Sequence, residues 1–141
     1  MPERWDETYD VVVIGSGFAG LTTAIEARLA DASVCVLEKM SVIGGNSVIN
    51  GGIMGVPGTP MQKNEGLEDT PELMMKAMMT EGAGLNQPEK VRHLCEEALP
   101  SWEWIIKELG VEWVTERVAQ EGGHSVPRCA IVKNGSGPAS S

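Results

Sequence analysis

Tyr9-Asp-Val-Val-Val-Ile-Gly-Ser-Gly-Phe-Ala-Gly20 is the stretch on which the fold turns. Val11 to Ile14 is a short β-branched run that stops at Gly15, and it reads as a strand buried on both faces of a parallel sheet. Leu21 to Ala30, rich in Ala and Leu, follows as a helix, and Ser33-Val-Cys-Val-Leu-Glu38 is a second buried strand. Together these form one βαβ unit, whose right-handed crossover sets the strands side by side. Gly15, Gly17 and Gly20 have the G-x-G-x-x-G spacing. A glycine hexapeptide says little alone, but between a strand and a helix it signifies dinucleotide binding. Gly15 allows the tight turn, Gly17 lets backbone approach a pyrophosphate, and Gly20 lets helix and strand pack closely. The helix start presents unpaired N–H groups and a positive dipole end to the phosphates.

Glu38 closes the second strand, placed to accept the ribose hydroxyls of an adenosine. A carboxylate there, rather than an arginine, disfavours a 2'-phosphate and with it NADP, and FAD and NAD remain. Gly44 to Pro60 is rich in glycine with interleaved Val, Ile and Met. It is too apolar for a solvated linker and too Gly-rich for a helix, so it reads as ordered backbone packed against something.

Further along, Thr70-Pro-Glu opens a helix with a capping residue and Pro at its first position. Met74, Met75, Met78 and Met79 share one face of it and read as core or subunit packing. A second amphipathic stretch follows Pro88, with Val91, Leu94, Cys95, Ala98 and Leu99 on one side. A third carries Trp102, Ile105, Ile106 and Leu109 and is capped by Gly110; Trp102 and Trp104 read as packing. Val111 to Val114 alternates like a short strand, and Gln120 to Ser141 reads as loop. These elements divide the chain into 1–60, 67–110 and 111–141.

Eleven Lys+Arg against 20 Asp+Glu give a net charge of -9 over 141 residues, which disfavours a nucleic-acid backbone binder or a polybasic membrane anchor. No apolar run reaches the roughly 18 residues of a membrane span. The N-terminus is acidic where a secretory signal would be basic, so a cytoplasmic location is expected. Cys35, Cys95 and Cys129 stand far apart and read as reduced thiols, without disulfide, zinc or haem spacing.

Tyr9 to Leu21, Val36-Leu-Glu38-Lys39, Gly44-Gly45-Asn46-Ser47 and Asn50-Gly51-Gly52 together resemble the FAD-binding start of the fumarate reductase and succinate dehydrogenase flavoprotein family, most of all its soluble, flavocytochrome-type members. The likeness runs on through Thr70-Pro-Glu-Leu, Pro88-Glu-Lys-Val, Trp104 and Gly122-Gly-His-Ser-Val-Pro-Arg128, nearly the whole chain. It implies an α/β fold: a Rossmann-like parallel-sheet FAD-binding portion with a helical segment, incomplete relative to the family. By this resemblance Gly15, Ser16, Gly17, Ala19 and Gly20 hold the pyrophosphate, and Glu38 and Lys39 flank the adenosine ribose. Gly44, Gly45, Asn46 and Ser47 line the phosphate and ribityl side, while Asn50, Gly51 and Gly52 run under the isoalloxazine.

Two departures matter. Membrane-bound members attach FAD through a histidine before the Gly-Gly, but no histidine precedes His93 here, so FAD is expected to be noncovalent. Asp31 stands where the family usually has Gly at the end of the first helix; Asp tolerates a left-handed conformation at a cost on the order of 1 kcal/mol.

Family enzymes are several times longer, and their substrate-gripping histidines and arginines come later, so no catalytic residue is expected in this chain. The expected partners are the remainder of the flavoprotein, as a missing C-terminal part or a second chain, an electron-donor protein or domain, and a small dicarboxylate or enoate substrate. In the complete enzyme, hydride would pass from flavin N5 to an unsaturated acid. The alternatives are a ketosteroid desaturase type, disfavoured by Asn46 where that group tends to have Ser, and a non-catalytic FAD-binding module that works with a partner chain. Arg128 could clamp a substrate carboxylate bidentately, but a loop arginine paired with the protein's own acids is the simpler reading.

Overall fold

The computed structural model describes residues 4–133, and these fall into two compact units, one ending at Asn50 and one beginning at Gly51. In the first unit β1 (Val11–Ile14) and β2 (Val34–Leu37) pair in parallel, with Val11 opposite Val34 and Ile14 opposite Leu37. The strand entrances are clasped by side chains: Ser33 donates N–H and Oγ–H to Asp10 Oδ2 at 2.8 and 2.6 Å, and Asp10 N–H donates to Ser33 Oγ at 3.0 Å. Helix α1 (Phe18–Leu29) begins inside the glycine motif, three residues before Leu21.

The end of α1 explains Asp31. Its φ is +61°, its N–H donates to Arg28 O at 3.0 Å, and the N–H of Ala32 donates to Ala27 O at 3.0 Å. That is the paired bonding of a Schellman cap, whose left-handed residue is ordinarily Gly.

The expectation of strands buried on both faces is corrected. Val13 is buried, yet Val12 is 54 %, Ile14 86 % and Leu37 52 % exposed. Helix α1 covers one face of a two-stranded sheet, and no described element of this unit lies over the other. The glycine-rich stretch is ordered as expected, but it contains a short 3-10 helix, Gly45–Ile49, where helix had been discounted. The tighter helix is entered through Gly44 at φ +101° and so tolerates the glycine start.

In the second unit β3 (Ile53–Gly55) pairs antiparallel with β4 (Cys129–Ile131), Gly55 lying opposite Cys129. Thus part of the segment read as loop is a strand, and residues 134–141 of that segment lie outside the described residues. Val111 to Val114 is not a strand; it contributes one antiparallel bridge, Trp113 to Val132. Helix α2 (Pro60–Asn64) is capped reciprocally by Thr59 and Gln62, and α3 (Pro71–Glu81) by the Thr70 hydroxyl.

The two amphipathic stretches after Pro88 are one helix, α4 (Pro88–Leu109), with Pro100 inside it. A proline there removes a backbone hydrogen bond at a cost of about 3 kcal/mol. Val91, Cys95, Ala98 and Trp102 form an unbroken buried stripe across it, and that stripe holds the helix together.

One core gathers Val56, Met61, Trp102, Trp113, Val118 and Ala130, with the two indoles tilted at a centroid distance of 6.0 Å. A second gathers Met74, Val91 and Cys95, with Met75, Met78 and Met79 against it, so the methionine stripe is core. All three cysteines are free thiols. Among the described residues no helix is long and apolar enough to cross a membrane.

Arg128 ties the second unit together. It is fully buried, and its Nε–H and Nη2–H donate to Asp69 Oδ2 and Oδ1, both at 2.8 Å. Gln62 Nε2 donates to the same Asp69 Oδ2 at 2.8 Å and to Pro127 O at 2.7 Å. The arginine therefore takes the simpler of its two readings, a pair with the protein's own acid.

Two stability changes are expected. Asp31→Gly relieves the left-handed Cβ strain and should stabilise the first unit by about 1 kcal/mol, read as a higher urea midpoint at unchanged slope. Asp69→Asn strands a buried guanidinium and should cost about 3–5 kcal/mol, measured in the same titration.

Candidate functional site

The turn after β1 is set by a contact that only glycine permits. Gly15 has φ +93°, and its N–H donates to Leu37 O at 2.8 Å, closing the sheet edge. A Cβ on Gly20 would lie 2.0 Å from Gly15 O, so α1 can approach the turn only without a side chain there. Gly17 is different. A Cβ on it would meet Ser47 Oγ at 3.4 Å and Gly44 O at 3.9 Å, ordinary contacts that the fold tolerates. Gly20 is thus required by the protein's own packing, whereas the bare backbone at Gly17 is not.

The first N–H groups of α1 lack partners within the helix. Gly17 is the N-cap and offers no side chain; Ser47 Oγ instead accepts the N–H of Phe18 at 3.0 Å. The N–H groups of Ala19 and Gly20 have no carbonyl one turn back, and no acidic residue stands in the first turn to quench the positive helix end.

Glu38 lies just past β2 and is engaged from within. Its Oε2 accepts the N–H and the hydroxyl of Ser16 at 3.0 and 2.5 Å, and its Oε1 accepts the N–H of Met40 at 2.9 Å. Ser16 Oγ in turn accepts the N–H of Gly44 at 2.8 Å. The hydrogen bond from the Ser16 hydroxyl, followed by those from the Met40 and Ser16 backbones, pulls the Glu38 carboxyl down from 4.5 to about 2. These hydrogen bonds, with a weaker contribution from the Lys39 backbone, keep the carboxylate ionised, so that it acts only as an acceptor.

The structure therefore brings Gly15, Ser16, Gly17, Ala19, Gly20, Glu38, Gly44 and Ser47 together in the first unit. Lys39 and Asn46 are exposed nearby, Gly45 has φ +51°, and Asn50 Nδ2 donates to Ser47 O at 2.5 Å. Gly51 and Gly52 belong to the second unit; Gly52 has φ +70° and accepts the N–H of Val132 at 2.9 Å. Sequence reading did not find that Ser16 links Glu38 to the Gly44 loop, nor that Ser47 caps α1. The polar serines inside two glycine clusters were the available signal.

An uncluttered helix N-terminus, a left-handed glycine turn and an ionised acceptor at the second strand are the donor and acceptor set that a dinucleotide needs. The FAD binding domain family matches residues 10–139. This chain belongs to that family and matches the FAD-binding part of fumarate reductase-type flavoproteins.

It is 43% identical over 126 residues to the acrylate reductase flavoprotein subunit of Shewanella woodyi, across 89% of this chain and 24% of that one. Among solved structures, the open conformation of a flavocytochrome c3 fumarate reductase superposes with a TM-score of 0.81 at 32% identity, covering 92% of this chain and 22% of that one. The 3-ketosteroid-Δ4-(5α)-dehydrogenase of Rhodococcus jostii RHA1 gives a TM-score of 0.71 at 38% identity, covering 80% and 23%. The chain spans about a quarter of the length of the relatives it matches. FAD is the cofactor of this family, which resolves the choice that Glu38 left between FAD and NAD.

Because the folded chain holds Glu38 below its ordinary value, the stabilisation it provides is present above pH 4.5 and is lost as pH falls toward about 2. Ser16→Ala removes the largest cause and should move the carboxyl midpoint up toward 4.5, followed by carbon NMR of the labelled side chain. An unmoved midpoint would show that Ser16 does not hold Glu38.

Proposed function

We propose that this chain is the FAD-holding end of an oxidoreductase that reduces a small unsaturated carboxylic acid, and that it binds FAD noncovalently. The contrast between Gly17 and Gly20 carries the reading: the fold itself forbids a side chain at one and tolerates it at the other, so Gly17 is bare for something outside the protein.

In this proposal Gly15, Ser16, Gly17, Ala19 and Gly20 surround the pyrophosphate, with the N–H groups of Ala19 and Gly20 as donors, since those of Gly15 and Ser16 are committed to Leu37 O and Glu38 Oε2. Glu38 accepts a ribose hydroxyl, with Lys39 beside it. Gly44, Gly45, Asn46 and Ser47 line the phosphate and ribityl side, and Asn50, Gly51 and Gly52 face the ring. Bound FAD would supply a hydride to the unsaturated bond. Ser16 keeps Glu38 ionised and oriented, and the helix end stabilises phosphate charge without a neighbouring acid to oppose it.

Substrate-gripping residues and the electron donor belong, in this reading, to the remainder of the flavoprotein or to partner chains. The apolar sheet face of Val12, Ile14 and Leu37 supports that, since each side chain gains on the order of 1.5–3 kcal/mol when covered. A ketosteroid-type substrate is the second reading, supported by the 38% identity to the Rhodococcus jostii enzyme.

A chimera tests the FAD-holding role: residues 1–141 replace the corresponding part of the Shewanella woodyi acrylate reductase flavoprotein subunit. The chimera should retain flavin after desalting and reduce acrylate with a low-potential dye. Gly17→Val should abolish flavin retention while leaving helical circular dichroism intact, and Glu38→Ala should weaken FAD at least about tenfold. Full flavin in the Gly17→Val chimera would refute the pyrophosphate assignment, and an unchanged dissociation constant would remove Glu38 from the site.

A further inference from the structure

The second unit contains a cavity of about 900 Å³ lined by Met54, Met74, Ala77, Met78 and Leu94 together with His124. Its size is that of a site for a small organic molecule. None of the residues assigned to FAD lines it.

His124 is held there in one chemical form. Its Nδ1 lies 3.0 Å from Arg128 Nη1. A guanidinium has donors only, so Nδ1 must be the acceptor, and the ring proton is on Nε2. Arg128 cannot turn away, because its other nitrogens are committed to both oxygens of buried Asp69. Adding a second proton to the ring would set N–H against N–H beside a fixed positive charge. Burial and the nearby Arg128 charge both lower the pKa of His124, outweighing the opposing effect of Asp69. The neutral imidazole consequently presents Nε2–H as a donor, and no described residue accepts from it. That nitrogen is 3.4 Å from where a Cβ on Gly55 would lie, so the glycine leaves its approach clear.

The remaining polarity of the cavity selects the ligand. Glu81 and Glu97 line it, no lysine or arginine does, and the charge of Arg128 is balanced by Asp69. Such a site repels a carboxylate, and alongside the neutral Asn86 and Ser101, which also line it, His124 Nε2–H is a donor with no acceptor among the described residues. We propose that this cavity binds an uncharged apolar ring compound through a carbonyl oxygen, with His124 Nε2–H as the hydrogen-bond donor. The site does not depend on FAD or on the enoate reading above.

The test uses the 141-residue chain with nitrogen-labelled histidine and three probes of one shape: α-tetralone, tetralin and 1,2,3,4-tetrahydro-1-naphthoate. Only His93 and His124 are present, and His93→Gln assigns the signals. Without a probe, His124 should show the Nε2–H tautomer and remain neutral at pH 7. α-Tetralone should shift the Nε2 resonance and bind about tenfold more tightly than tetralin, the gain of one hydrogen bond. The naphthoate should bind more weakly than the ketone.

Gly55→Ala places a methyl over Nε2 while leaving the Arg128 network untouched, and its contacts with His124 and Met74 at 3.4 and 3.5 Å are ordinary ones. It should abolish the preference for ketone over tetralin. The proposal is overturned by a proton on Nδ1, by equal binding of ketone and hydrocarbon, by naphthoate binding as tight as ketone, by no binding at all, or by a ketone preference that survives in Gly55→Ala.

Discussion

A guanidinium with no access to water must find its partners inside the protein, and in the second unit everything near Arg128 is arranged to supply them. Asp69, just ahead of α3, gives both carboxylate oxygens. Gln62 in α2 braces that carboxylate and reaches Pro127 O. The backbone of Arg128 accepts the N–H of Val56 at 2.8 Å, so the residue also extends the pairing of β3 with β4. One side chain thus fixes α2, the start of α3 and the returning strand in mutual register. Against burial of apolar residues of equal volume, a buried pair gains little net stability. Its effect here is specificity: any other register leaves a bare charge.

The first unit solves a different problem, backbone density at a turn, with weaker tools. The 2.0 Å that would separate a Gly20 Cβ from Gly15 O fixes how closely α1 rides over the turn, and hence where its N–H groups point. Ser16 then joins the turn to Glu38 and to Gly44 through its one hydroxyl. All of these bonds exist in the protein alone. The donors and acceptors of the proposed dinucleotide site are therefore already oriented, and in that proposal little ordering remains to be done on binding.

What could be read from sequence was local. The βαβ unit, the start of α3, the glycine cap after α4 and the left-handed Asp31 follow from residues within a few positions of one another. The misses are contacts between distant positions. β4 exists because Gly55 and Cys129 face each other, and Arg128 is structural because Asp69 lies 59 residues away. Neither separation leaves a periodic trace. The break expected between the helical stretches of α4 failed for another reason, since Pro100 weakens the helix locally while Val91, Cys95, Ala98 and Trp102 hold its face. For β1, residue type was a sound guide to strand but not to exposure, because Val12 and Ile14 carry a pattern suited to two-sided burial on a sheet with one covering helix.

Glu38 and His124 show the same device with opposite polarity. Hydrogen bonds from Ser16 and Met40 keep the carboxylate charged, so it can only accept. The guanidinium of Arg128 keeps the imidazole neutral and its proton on Nε2, so on its open side it can only donate. In each case a titratable group that could adopt two forms is restricted to one by a neighbour within the fold. Groups fixed in this way discriminate chemically. In the two proposed sites, Glu38 repels a phosphate or carboxylate and accepts from a hydroxyl, and His124 donates to a carbonyl where a second N–H would meet another proton. The selectivity of both places therefore resides less in the residue facing the ligand than in the partner behind it.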